Sequence, residues 1–80
     1  IQIKEFGLTD AGYPLHLVLF SNDKTHDPSI WHKNNKLVIM INNGIHPGEP
    51  DGIDASMMFL RDLATGKIKA PDNVVLGIIP

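Results

Sequence analysis

The chain has 80 residues, 42% of them apolar, with 7 basic and 9 acidic residues and a formal charge of −2. This composition indicates one small globular unit and excludes a disordered chain. No block of basic residues gives an electrostatic basis for binding nucleic acid or an anionic membrane, and no apolar run is long enough to span a membrane. Because cysteine is absent, any metal would have to be held by His, Asp or Glu side chains.

Two segments near the start of the chain predict an antiparallel pair of strands. Residues 1–6 alternate weakly between apolar and polar side chains, and residues 13–20 place three leucines on one face. The stretch Thr9–Gly12 between them has turn composition, with Gly12 suited to positive φ.

The polar stretch from Ser21 to Lys36 shows no regular pattern, and we interpret it as a surface or functional loop. Trp31 is expected to anchor this loop on the sheet. The loop histidines, His26 and His32, are expected to be solvated. His16, in the preceding strand, is expected to be half-buried or solvent-facing.

Residues 36–79 read as strand, helix and strand. The run at 36–41 is nearly all apolar and predicts a central strand buried on both faces, and the run at 74–79 predicts another buried strand. A helix is predicted over 50–65, stopped by Gly66. Its predicted apolar face consists of Ile53, Met57, Leu60 and Ala64.

The fold class predicted from these elements is α/β: a mixed sheet with an antiparallel pair followed by a right-handed βαβ crossover. Strands as apolar as 74–79 need neighbours on both edges. We therefore expect residues 1–80 to be the N-terminal portion of a single larger domain. We also expect self-association through exposed strand edges.

The turn between the apolar strand at 36–41 and the helix carries the most informative residues. His46 and Glu49 are spaced as His-x-x-Glu at the carboxyl end of a strand, where open α/β sheets bind ligands. An imidazole and a carboxylate are both good zinc ligands. The alternative is a structural turn in which Glu49 helps to cap the helix and His46 is merely exposed.

Three segments resemble the N-terminal part of zinc metallocarboxypeptidases of the carboxypeptidase A-like superfamily. Ile41–Glu49 resembles their Gly-Ile-His-x-x-Glu zinc motif and is the specific match. Gly7–Leu15 resembles their first turn and second strand, and Val74–Pro80 resembles the strand that leads to a substrate-binding turn. Digestive members have an arginine at the position of Gly48, and the Pro-Gly sequence here is more similar to bacterial relatives.

The resemblance implies a zinc-dependent peptidase that acts on a peptide substrate near its carboxyl terminus, with His46 and Glu49 as the first two Zn²⁺ ligands. It implies that the third ligand, a general-base glutamate and substrate-binding arginines lie beyond Pro80, and it suggests a secreted or periplasmic protein. No catalytic residue is assigned within the 80 residues, which are expected to be inactive alone. Two alternatives stay open: a zinc amidohydrolase of the aspartoacylase-like type that acts on N-acyl amino acids, and a non-catalytic α/β module.

Overall fold

A computed structural model describes residues 1–80 and contains four strands and two helices. In chain order the elements are β1 (Gln2–Leu8), β2 (Pro14–Ser21), α1 (Pro28–Lys33), β3 (Leu37–Asn42), α2 (Asp51–Ala64) and β4 (Val74–Ile79). The sheet order is β1-β2-β4-β3, with β2 antiparallel to both β1 and β4, and β3 parallel to β4. The predicted mixed α/β sheet is confirmed. None of the helices has the length and apolar composition needed to cross a membrane.

The two apolar strands of the crossover occupy different places in the sheet. β4 lies between β2 and β3, so the chain itself supplies the two neighbours that its composition predicts. β3 is an edge strand, and Leu37, Val38 and Met40 each leave more than half of their surface exposed. The prediction of a central strand buried on both faces at 36–41 is therefore wrong in this structure. β3 is not central because it pairs with β4 only, and its side chains are exposed because the helices do not fully cover the two faces of β3.

The polar stretch after β2 contains a helix that the sequence interpretation missed. Asp27 caps α1 by accepting a hydrogen bond from the Ser29 backbone N–H at 2.9 Å, and Pro28 occupies the first turn. An aspartate followed by proline is a helix-start signal that the sequence contained. Trp31 is buried against Leu19 and Val75, as expected for the anchor of this segment.

Helix α2 packs on the opposite face of the sheet. Leu60 and Leu63 are buried against side chains of β2 and β4, and Ser56 is buried on the same side of the helix. The predicted apolar face is wrong in orientation, because only Leu60 of that set is buried and Met57 is exposed. The helix boundaries are confirmed, and Gly66 ends the helix with a φ of 74°.

Much of the apolar surface of this fold is left uncovered. Only 13 of the 80 residues are buried, and the accessible surface is 5673 Å². A compact monomer of this mass exposes about 4800 Å². The radius of gyration of 13.3 Å likewise exceeds the value of about 11.6 Å expected for a domain of this length. The excess follows from the open edge of β3 and from sheet faces that two helices cover incompletely.

Polar contacts hold together the end of the sheet at which β3 and β4 begin. The Lys36 ammonium lies 2.6 Å from a carboxylate oxygen of Asp23 and donates to the Asp72 carbonyl at 2.6 Å. The Lys36 contact, and then hydrogen bonds from Ser21 and Thr25, hold the pKa of the Asp23 carboxyl well below its usual range. This ion pair ties the end of β2 to the start of β3.

The β3 edge generates a first prediction, which is concentration-dependent self-association by strand pairing. Natural edge strands are protected by charges, prolines or bulges, whereas β3 has no charged residue and no proline. Met40→Lys is expected to weaken association about fivefold, because a lysine facing its symmetry mate costs about 1 kcal/mol. Sedimentation equilibrium over a range of concentrations measures this.

Met58→Lys on α2 is the matched control, because Met58 is 57% exposed and Met40 is 59% exposed. Association that stays equal in the two variants would exclude β3 as the interface. A wild-type chain that stays monomeric at the highest concentration would contradict the prediction as a whole.

The Asp23 ion pair generates a second prediction. A carboxyl group with a lowered pKa stabilises the fold above its unfolded-state pKa of about 3.9, and this contribution is lost as the pH falls through the folded-state value. Asp23→Asn is therefore expected to lower the free energy of unfolding at neutral pH, with the difference from wild type shrinking below about pH 4. Urea denaturation at several pH values checks this. Asp10→Asn is the control, since Asp10 forms no ion pair.

Candidate metal centre

The turn that carries His46 and Glu49 lies between the end of β3 and the start of α2. Asn42 pairs with Ile79, so the turn stands at the edge of the sheet where parallel β3 and β4 both end. Gly44 and Gly48 have φ values of 60° and 81°, which side chains other than glycine rarely adopt. The glycines let the chain reverse within a few residues and enter the helix.

The structure brings the two predicted ligands together. The His46 Nδ1 and Glu49 Oε1 atoms are 3.1 Å apart, and the side chains are 73% and 57% exposed. They line a shallow depression of about 260 Å³ formed by Gly44, His46, Pro47, Gly48, Glu49, Pro50 and Ile53. The pair is open to solvent, and therefore to a metal ion or a small ligand.

The orientation of Glu49 bears on the alternative in which it caps the helix. Pro50 is the N-cap residue of α2 and makes no side-chain capping bond. The one hydrogen-bond partner of the Glu49 carboxylate is the His46 ring, and no backbone N–H of the first helical turn donates to it. In this structure Glu49 is therefore not a hydrogen-bonding cap.

The spacing of the pair is close to the spacing of two donor atoms on one zinc ion. Zinc binds histidine nitrogen and carboxylate oxygen at about 2.0–2.2 Å, and a tetrahedral angle then separates two such donor atoms by about 3.3–3.6 Å. The observed separation of 3.1 Å is only slightly shorter. A direct hydrogen bond from the imidazole N–H also has this length. The observed distance therefore matches a direct hydrogen bond between His46 and Glu49, and a small side-chain shift would bring both atoms to the spacing of two zinc donors.

No third donor of the same kind joins the pair. The fold contains no group of three or more His, Asp or Glu side chains that could together hold a metal ion. Zinc at this turn would therefore take two ligands from the 80 residues.

The remaining histidines lie in other parts of the fold. His16 is half-buried with its Nε2 3.7 Å from the Glu5 carboxylate, and His32 is exposed on α1, so both expectations are confirmed. His26 was expected to be solvated, and this is wrong: its Nε2 is buried without a hydrogen-bond partner. Its backbone carbonyl accepts a bond from Lys4 Nζ at 3.3 Å, which helps to hold the segment against β1.

Asn43 is the residue near the site that sequence reasoning missed. Its side-chain nitrogen donates to Ser56 Oγ at 2.7 Å and to the Ile79 carbonyl at 3.3 Å. The signal that could have revealed it is Ser56, a polar residue on a helix side that is otherwise apolar, since a buried hydroxyl needs a partner.

No protein-family model, curated protein or solved structure matches this chain. Function is therefore inferred from the geometry of the turn and from the motif resemblance.

Proposed function

We propose that His46 and Glu49 are two zinc ligands of a metallocarboxypeptidase-like enzyme, which cleaves a peptide bond near a carboxyl terminus. The observation that supports this most directly is the 3.1 Å separation between His46 Nδ1 and Glu49 Oε1. An imidazole with a carboxylate is a donor set that catalytic zinc uses in peptidases. The metal assignment rests on this geometry, and the substrate class rests on the motif resemblance.

Each residue of the turn has a distinct part in the proposed site. Zinc held here would polarise the scissile carbonyl and activate a water molecule. The His46 Nδ1 and Glu49 Oε1 atoms, which are 3.1 Å apart, would be the two protein donors to this ion. Gly48 brings no positive charge to the position where digestive carboxypeptidases have an arginine, so another residue has to supply that contact with the substrate.

The proposed site is incomplete within the 80 residues. Catalytic zinc sites use three protein ligands and keep one position for water or substrate. The third ligand, the general base and the arginines that bind the substrate carboxylate are proposed to come from outside these residues. The 80-residue chain alone is therefore expected to bind zinc weakly and to lack peptidase activity.

Zinc titration by calorimetry tests the metal assignment. His46→Ala and Glu49→Gln are each expected to weaken zinc binding by more than about tenfold, because the loss of a direct ligand costs at least as much as the loss of an outer contact. His32→Ala is the matched control, since it removes an exposed histidine on α1. Binding that His32→Ala weakens as much as His46→Ala would place the metal elsewhere.

The affinity itself carries information about the site. Weak binding that requires both residues supports a two-ligand site. Binding as tight as that of a complete structural zinc site would require a third donor within the chain and would contradict the proposed division of ligands. A folded chain that binds no zinc would favour the non-catalytic α/β module.

Activity assays of the zinc-loaded chain give a further prediction. Neither peptides with free carboxyl termini nor N-acyl amino acids are expected to be hydrolysed, because the general base is missing. Mass spectrometry of the products measures this. Hydrolysis of a peptide that His46→Ala abolishes would show that the 80 residues hold a complete peptidase site. Hydrolysis of only the N-acyl amino acid would favour the amidohydrolase alternative.

A further inference from the structure

The Asn43 side chain connects three elements at the carboxyl edge of the sheet. Asn43 directly follows β3, Ser56 lies on the buried side of α2, and Ile79 is the last residue of β4. One amide nitrogen donates to both Ser56 Oγ and the Ile79 carbonyl, and the Asn43 backbone N–H donates to the same carbonyl at 3.1 Å. We call these contacts the Asn43 brace.

Gly52 makes room for the brace. A Cβ atom at Gly52 would lie 2.6 Å from Asn43 Oδ1, a distance that real Cβ contacts essentially never show. Glycine within a helix costs about 0.5–1 kcal/mol relative to alanine. Glycine at position 52 therefore leaves room for the Asn43 side chain in the conformation that forms the brace.

The brace holds both ends of the turn that carries the proposed ligands. Asn43 stands immediately before Gly44, and Ser56 holds the first half of α2, whose helix begins just after Glu49. Between these two ends, His46 and Glu49 are exposed, and their side chains hydrogen-bond only to each other. No other side chain fixes the distance between His46 and Glu49. That distance is therefore set by the backbone between the end of β3 and the start of α2, both of which the brace holds.

We infer that Asn43 is a positioning residue that sets the geometry of the His46–Glu49 pair by fixing α2 against the ends of β3 and β4. This inference rests on the proposed function for its metal readout. Asn43 forms no hydrogen bond with His46 or Glu49. Its side chain acts through Ser56 and the Ile79 carbonyl. Residues that hydrogen-bond directly to metal ligands change metal affinity by about 10–100-fold. Asn43 acts one contact further away, so its effect is expected at the lower end of that range.

A double-mutant cycle on zinc affinity tests the inference. Asn43→Ala and Ser56→Ala are each expected to weaken zinc binding about tenfold. The double variant is expected to lose no more than Asn43→Ala alone, because the Ser56 side chain acts through its hydrogen bond with Asn43. A zinc affinity equal to that of wild type in Asn43→Ala would overturn the inference. So would fully additive losses.

Val74→Ala separates positioning from simple destabilisation. Val74 is buried in the core at the other end of β4, beside Phe20 and Leu63. This variant is expected to lower the free energy of unfolding while leaving zinc affinity unchanged under native conditions. If Val74→Ala weakens zinc binding as much as Asn43→Ala at equal loss of stability, the brace has only a structural role and the inference is wrong.

NMR of the metal-free protein tests the inference even if the proposed function fails. The ¹⁵N shifts of the His46 ring report its hydrogen bond with Glu49. They are expected to change in Asn43→Ala and Ser56→Ala and to stay constant in Val74→Ala. Ring shifts that Asn43→Ala leaves unchanged would overturn the positioning role. Wild-type protein that binds no zinc while these shifts respond as expected would refute the metal assignment and leave the positioning role supported.

Discussion

The parallel pairing of β3 with β4 is the constraint on which the site depends. Parallel neighbours need a crossover that returns the chain to the starting end of the sheet. The 14 residues of α2 span about 21 Å at 1.5 Å per residue. The six residues of β3 span about 20 Å. Since one helix covers the length of one strand, residues 43–50 must turn at the carboxyl edge. This topology therefore places His46 and Glu49 at the carboxyl edge of the sheet.

The same pairing leaves β3 with an open edge. β4 receives neighbours on both sides and supplies the most buried side chains, Val75 and Ile78, whereas β3 is equally apolar and is paired on one side only. An apolar edge strand of this kind is free to add another strand. The edge also runs directly into the turn, because β3 ends at Asn42. A strand added there would lie next to the candidate metal centre.

The turn combines the exposed His46–Glu49 pair with a partly buried hydrogen bond between Asn43 and Ser56. This hydrogen bond satisfies the buried Ser56 hydroxyl, whose burial without a partner would be costly, and one N–H of the half-buried Asn43 amide. It also gives the strand end and the helix start one defined spacing, which apolar contacts alone specify less well. The exposed side chains of the turn are therefore carried on a backbone that is held at both ends.

The sequence by itself determined the elements whose signals are local. These are the alternation in β2, the apolar runs of β3 and β4, the glycine stop at Gly66 and the position of the His46–Glu49 turn. Asp27 followed by Pro28 is also a local signal, because it marks the start of α1. The tertiary structure decided what depends on partners distant in the chain. The strand order places β3 at the edge of the sheet, and contact with β2 and β4 determines which side of α2 is buried. The Ser56 hydroxyl is the hydrogen-bond partner of the Asn43 side chain. Periodicity encodes which residues share a face, but burial is set by which neighbours cover that face.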